Sequence, residues 1–63
     1  MKRIVVIGGG ESGVGAAILA HRKGFDVFLS DGGKLKDRYR NMLENESIAF
    51  EEGKHTGELI LNA

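Results

Sequence analysis

Blocks of apolar residues alternate with polar, glycine-containing segments along the chain and predict three strands and three helices. A continuous β-branched run at residues 4–7 is typical of a strand that is buried on both faces of a parallel sheet. Shorter apolar runs at residues 26–30 and 48–50 predict a second and a third strand. Because helical patterns separate these runs, the order is βαβαβα, which predicts a parallel sheet with right-handed crossovers.

The helices follow from the spacing of apolar side chains and from signals at their ends. The first is predicted over residues 12–23 and is ended by Gly24, because glycine is favoured just after a helix. The second is predicted over residues 34–46, where four apolar side chains fall on one stripe. A third, over residues 56–63, would have Thr56 as its N-cap. The stripe of the second helix consists of Leu35, Tyr39, Met42 and Leu43.

The first helix and the first strand both lead us to expect further protein around this chain. Apolar residues cover nearly every side of the helix, so one sheet face cannot bury them all. In the usual strand order 3-2-1, the first and most apolar strand would lie at an open edge. We therefore expect an α/β fold with an incomplete Rossmann-like parallel sheet, with residues 1–63 as the first part of a larger domain.

Composition narrows the functional classes. The 63 residues form at most one small domain, and a chain of this size buries only about 60% of its unfolded surface. Nine basic and nine acidic side chains cancel, so no net charge attracts nucleic acid or an anionic membrane. There is no cysteine for a disulfide or a cysteine-based metal site, and no apolar run approaches the roughly 20 residues of a membrane span. A cytoplasmic protein without nucleic-acid or membrane partners is expected.

A glycine cluster between the first strand and the first helix is the main candidate site. Residues 8–13, GGGESG, match the G-x-G-x-x-G pattern of loops that hold a phosphate. In such loops the first glycine (Gly8) makes the tight turn, the second (Gly10) lets a phosphate approach the backbone, and the third (Gly13) lets helix and strand pack closely. The N-terminus of the helix then attracts an anion. The alternative is a glycine-rich turn that serves only strand–helix packing.

Asp31 ends the second strand, 18 positions after Gly13. In dinucleotide sites an acid at this point accepts hydrogen bonds from the adenine ribose, whereas a uridine ligand would offer an imide N–H or its own ribose hydroxyls. An Asp before two glycines is also a common turn, in which the carboxylate accepts hydrogen bonds from nearby backbone N–H groups. The residue at this position therefore does not separate NAD, FAD and UDP.

These residues resemble a known family. The run GGGESGVGAAILAHRKGFDVFLSD, with IAFEEG and HTGELILNA after it, is similar to the amino-terminal part of the Mur ligases. The resemblance is to the member that joins D-glutamate to UDP-N-acetylmuramoyl-L-alanine. It implies a domain that binds a UDP-sugar rather than a dinucleotide. It also implies that ATP, Mg and D-glutamate bind in later domains, so that this chain holds no catalytic residue, no cofactor and no metal site.

The resemblance further implies roles for individual residues. A hydroxyl residue before the third glycine, here Ser12, is typical of the family, and residues 10–13 would meet the diphosphate. Some relatives carry a hydroxyl and a basic residue where this chain has two glycines after Asp31, so that backbone contacts to the uracil would replace side-chain contacts. The expected UDP-sugar site consists of Gly8, Gly10, Glu11, Ser12, Gly13, Asp31, Gly32 and Gly33.

Two other functions stay open. Residues 4–20 also resemble the amino terminus of an FAD- or NAD-dependent oxidoreductase, although flavoproteins of that type usually end the second strand in Glu. A non-catalytic nucleotide-binding module is the third hypothesis.

Charged side chains outside the glycine loop are interpreted as surface groups. His21 and His55 have no second metal ligand at a suitable spacing, so both are interpreted as ordinary surface or boundary histidines. Four cations near the start of the second helix oppose its dipole and are interpreted as a solvated face that tolerates a small cost. These cations are Lys34, Lys36, Arg38 and Arg40.

Overall fold

The computed structural model describes residues 2–55 and Gly57. In this part of the chain the element order is β1 (Arg3–Ile7), α1 (Glu11–Arg22), β2 (Asp26–Asp31), α2 (Asp37–Asn45) and β3 (Ala49–Glu52). The strands form a parallel sheet in the order β1-β2-β3. The predicted α/β class and strand order are therefore confirmed. The predicted third helix, residues 56–63, lies outside the described residues except for Gly57.

Both helices pack against one face of the sheet. Val27 and Leu29 of β2 are buried in the same cluster as side chains from α1 and α2. Because successive side chains of a strand point to opposite faces, Phe28 and Ser30 of β2 face the other side, and both are buried there. The core cluster on the helical face consists of Val14, Ala17, Val27, Leu29, Leu35, Tyr39, Leu43 and Ile48.

β1 differs from the expectation of a strand that is buried on both faces. Its first four residues are half-buried, and its last residue, Ile7, is 59% exposed. The reason is its edge position, since within the described residues β1 pairs only with β2. Leu19 of α1 is likewise 58% exposed. Among residues 2–55 and Gly57, no helix has the length and apolar character needed to cross a membrane.

The second helix begins three residues later than the apolar stripe predicted. Lys36 is its N-cap, in an extended conformation, and Asp37 is its first residue. Leu35 is only 2% exposed, but it reaches the core from the segment that precedes the helix. Leu35 lies four positions before the buried Tyr39, which is the spacing of one helical turn, although the helix itself begins only at Asp37. This spacing explains the error. The first turn of α2 carries the acidic Asp37, which suits the helix dipole.

The predicted end of α1 at Gly24 is confirmed. Gly24 has φ +94°, and its N–H donates to the carbonyl of His21 at 3.0 Å. The N–H of Phe25 donates to the carbonyl of Ala20 at 3.1 Å, which completes the two-bond motif that satisfies the last carbonyls of a helix. Only glycine takes up this left-handed backbone without strain from a Cβ atom.

Helix α2 ends with the same motif but with serine at the left-handed position. Ser47 has φ +59°, and its N–H donates to the carbonyl of Glu44 at 3.0 Å. The N–H of Ile48 donates to the carbonyl of Leu43 at 2.9 Å, and both of these side chains are buried in the core cluster. The backbone geometry is therefore retained at the cost of a strained serine.

We predict that Ser47→Gly raises the free energy of unfolding by about 0.5–1 kcal/mol, because removing Cβ relieves the left-handed strain. Gly24→Ala, the reverse change at the end of α1, should lower the same free energy by at least about 1 kcal/mol. Urea denaturation of the two variants and the parent chain measures both effects. A Ser47→Gly variant that is less stable than the parent would contradict the strain argument.

Candidate functional site

Two loops lie side by side at the carboxyl edge of the sheet. Ile7 of β1 is in register with Ser30 of β2, so the loops that follow the two strands start next to each other. The N–H of Gly8 donates to the carbonyl of Ser30 at 2.8 Å and extends this pairing by one residue. The structure therefore brings together the two predicted groups of site residues, which are Gly8 with residues 10–13, and residues 31–33.

The carboxylate of Asp31 connects the two loops. Its Oδ2 accepts a hydrogen bond from the N–H of Gly9 at 2.8 Å, and its Oδ1 accepts one from the N–H of Gly33 at 2.9 Å. The turn interpretation of Asp31 is thus confirmed, with a second bond across to the glycine loop that the sequence did not predict. Each carboxylate oxygen has a further acceptor position, so a ligand role for Asp31 is compatible with these bonds and stays a prediction.

Gly8 and Gly13 bring α1 close to β1. Gly8 has φ +100°, a conformation that side chains with a Cβ rarely adopt. A Cβ atom on Gly13 would overlap the carbonyl oxygen of Gly8 and would lie 3.6 Å from Val6 Cγ1. The roles expected for the first and third glycines of the motif, tight turn and close packing, match this geometry.

Gly9 is a site residue that sequence reasoning missed, because the motif treats its position as variable. It is buried, and a Cβ atom there would overlap the Leu35 side chain and lie 2.8 Å from Asp31 Oδ2. The only signal in the sequence was that the variable position between the first two glycines of the motif is itself a glycine. A residue other than glycine at this position would push the loop away from Asp31.

Gly10 is the N-cap of α1 and leaves the helix end open. It has φ −76° and ψ −173°, makes no side-chain cap, and a Cβ atom there would meet nothing within 4 Å. Glu11 and Ser12, the first two helical residues, are exposed. The backbone N–H groups of this first turn therefore have no side-chain cap, and together with the positive end of the helix dipole they suit an anionic group. The carboxylate of Glu11 opposes an anion here.

A second set of bonds holds the segment after Gly33 against β3. Glu52 Oε1 accepts hydrogen bonds from the N–H of Leu35 and from Arg40 Nη2, each at 3.0 Å. Arg40 Nη2 also donates to the carbonyl of Leu35 at 3.1 Å. The hydrogen bond from Arg40 and then that from the Leu35 N–H lower the pKa of the Glu52 carboxyl. The turn at Asp31 is thus held on both sides, by the glycine loop and by β3.

The four cations near α2 do not share one role. Lys34, Lys36 and Arg38 are exposed, as interpreted from the sequence. Arg40 is half-buried and forms ion pairs with Glu52 at 3.0 Å and Asp37 at 2.8 Å. The interpretation of a purely solvated face is therefore wrong for Arg40.

Neither histidine lies in a metal cluster. In the described ranges there is no group of three or more His, Cys, Asp or Glu side chains that could hold a metal ion. His21 is half-buried and His55 is exposed, in agreement with the interpretation of both as surface or boundary residues. His55 nevertheless makes a hydrogen bond to a buried serine, which the sequence did not predict.

Comparison with known proteins identifies similar sequences along the whole chain. Residues 3–62 match the family model described as MurD N-terminal domain. A UDP-N-acetylmuramoylalanine–D-glutamate ligase from Bacteroides thetaiotaomicron is 60% identical over all of this chain and over 14% of the relative's length. Ligases of the same name from Christiangramia forsetii and Chlorobium phaeobacteroides are 55% and 41% identical over 98% and 94% of the chain. These two matches cover 14% and 13% of the relatives' lengths.

The chain thus spans about one seventh of the length of the curated relatives that it matches. No solved structure is significantly similar to it.

We predict that Gly13→Ala lowers the free energy of unfolding by about 3 kcal/mol, because the new Cβ atom would overlap the Gly8 carbonyl. Gly15→Ala is the matched control on the same helix, since a Cβ atom there meets nothing within 4 Å. This control should gain up to about 1 kcal/mol from higher helix propensity. Urea denaturation measures both values, and equal effects of the two substitutions would disprove the packing role of Gly13.

We also predict that Glu52 makes the free energy of unfolding depend on pH. Its pKa is lowered by folding, so its contribution is complete above the ordinary carboxyl pKa of 4.5 and is lost as the pH falls through the lowered value. Glu52→Gln should therefore destabilise the protein more at pH 7 than at pH 3. Unfolding free energies at a series of pH values test this, and a pH-independent difference between variant and parent would contradict it.

Proposed function

Because the chain belongs to the MurD N-terminal domain family, we propose that it forms the first part of the UDP-sugar-binding domain of a UDP-N-acetylmuramoylalanine–D-glutamate ligase. The observation that carries this proposal is the open N-terminus of α1, at the same sheet edge as Asp31 and bonded to it through Gly9. The UDP part of a sugar nucleotide has an anionic diphosphate and a uracil with hydrogen-bonding groups, and the two loops suit these two groups.

The diphosphate would bind to backbone N–H groups of the first turn of α1. Gly10 has no side chain there, so a phosphate oxygen can approach the backbone closely. Ser12 would add a hydroxyl donor. The exposed side chain of Glu11 is accommodated when it is directed to solvent, away from the phosphates.

The uracil would bind at the turn formed by Asp31, Gly32 and Gly33. In the free protein the carboxylate of Asp31 already accepts two backbone hydrogen bonds, which fix its orientation. Its unused acceptor positions suit a donor of the uridine, either the imide N–H or a ribose hydroxyl. The glycines after it allow the base to approach the backbone.

In the proposed ligase this domain binds and orients the substrate while other domains carry out the chemistry. The carboxylate of UDP-N-acetylmuramoyl-L-alanine would be phosphorylated by ATP, and the resulting acyl phosphate would be attacked by the amine of D-glutamate. ATP, Mg and D-glutamate would bind in domains outside residues 1–63. The product is a precursor of peptidoglycan, and a cytoplasmic location is part of the same proposal.

Binding of nucleotides to the full-length protein tests the proposal. Calorimetric titration should show binding of UDP and of UDP-N-acetylmuramoyl-L-alanine, and weak or no binding of NAD and FAD. Gly10→Ala should weaken UDP binding at least about tenfold, because its Cβ atom would occupy the side from which the phosphate approaches.

Gly15→Ala is the control for this experiment, since it makes the same change one half-turn beyond the loop and should bind UDP normally. Tight binding of NAD or FAD with no response to UDP would assign the protein to an oxidoreductase instead and would overturn the proposal.

A further inference from the structure

A polar cluster lies on the sheet face opposite the helices, at the carboxyl ends of β2 and β3. Ser30 is fully buried, and its hydroxyl donates a hydrogen bond to Glu51 Oε2 at 2.7 Å. Glu51 is in register with Ser30 on the neighbouring strand and is only 9% exposed. Burying a carboxylate and a hydroxyl costs free energy unless they are hydrogen-bonded. The hydrogen bond between Ser30 and Glu51 offsets this cost at the carboxyl end of the two strands.

His55 is the outer member of this cluster. Its Nδ1 lies 2.7 Å from the Ser30 hydroxyl oxygen. A hydroxyl has one proton, and the Ser30 hydroxyl lies closer to Glu51 Oε2, at 2.7 Å, than to the carbonyl of Lys54, at 3.4 Å, so we place that proton toward Glu51. This placement of the Ser30 proton assigns the hydrogen bond between Ser30 and His55 to the tautomer with its proton on Nδ1, in which Nε2 is an acceptor.

The imidazole ring lies against the turn that follows β2. A Cβ atom on Gly32 would be 3.0 Å from His55 Nε2 and 3.4 Å from Cδ2, so the Nε2 edge of the ring lies next to Gly32. Gly32 is adjacent to Asp31, and His55 is exposed to solvent. The acceptor nitrogen is thus placed beside the residues where the base of the nucleotide would bind.

We infer that His55 is a further base-binding residue of the nucleotide site, with Nε2 accepting the imide N–H of uracil while Asp31 accepts a ribose hydroxyl. This inference rests on the proposed function. Ser30 and Glu51 act as positioning residues, because they fix the ring orientation and the tautomer in the way that outer partners orient ligand-binding histidines.

The chemistry predicts a preference for uracil over cytosine. Uracil has an N–H at position 3, whereas cytosine has an unprotonated acceptor nitrogen there. An acceptor at His55 Nε2 therefore forms a hydrogen bond with uracil. With cytosine, the two acceptor nitrogens would face each other and repel. A surface histidine with a purely structural role would not affect this choice.

Two substitutions separate the two ring nitrogens. In His55→Asn the side-chain amide can replace Nδ1–H as donor to Ser30, but nothing replaces Nε2. We expect this variant of the full-length protein to bind UDP about tenfold more weakly than the parent, and to show a smaller ratio of UDP to CDP affinity. His55→Gln places an amide near the position of Nε2 and should retain more of the UDP affinity. His21→Asn, a change in the other histidine, is the control and should leave both affinities unchanged.

Titration calorimetry with UDP and CDP gives these affinities, and nitrogen NMR of the His55 ring gives an independent measure. In the free parent protein Nδ1 should be the protonated nitrogen, and addition of UDP should shift the Nε2 resonance. Parent protein that binds UDP, together with a His55→Asn variant that has the same affinity and the same UDP-to-CDP ratio, would overturn the inference and leave the proposed function standing. Failure of the parent to bind UDP would overturn the proposed function and this inference with it.

Discussion

Gly13 packs so closely against the carbonyl oxygen of Gly8 that no Cβ atom fits between them. This contact sets the distance between α1 and β1, because any side chain at Gly13 would overlap that carbonyl. Since α1 starts only three residues after Gly8, this contact also sets where the open N-terminus of the helix lies relative to the sheet edge. The contact that packs α1 on β1 therefore also positions the amides that are proposed to bind an anion.

Polar contacts carry this positioning from one strand end to the next. Asp31 bonds to Gly9 in the first loop and to Gly33 in its own turn, while Glu52 and Arg40 hold Leu35, two residues further on. The two loops and the end of β3 are thus one bonded unit. Such an arrangement reduces the ordering that a ligand must impose, which is how preorganised sites gain affinity.

The parts of the fold that depend on local pattern were predictable, and the parts that depend on contacts across the sheet were not. Strand order, the end of α1 at Gly24 and the position of Asp31 at the same sheet edge as the glycine loop follow from residue type and spacing, whereas the hydrogen bond from Gly9 to Asp31 does not. Leu35 was misassigned to a helix because burial by tertiary contact imitates helical periodicity. The left-handed Ser47 has no glycine to signal it.

The Ser30–Glu51–His55 cluster was invisible in the sequence for a related reason. Glu51 and His55 follow Ser30 by 21 and 25 residues. The parallel register of β2 and β3 brings Glu51 next to Ser30, and the chain after β3 returns to place His55 there. The sheet edge thus carries two different kinds of polar group, backbone amides and side chains, which the net charge of the chain does not indicate. In the proposed nucleotide site, backbone dipoles of α1 would bind the phosphates, and side chains near the end of β2 would bind the base. Because Asp31 belongs to both loops, a change at either end of the ligand site is expected to be felt at the other.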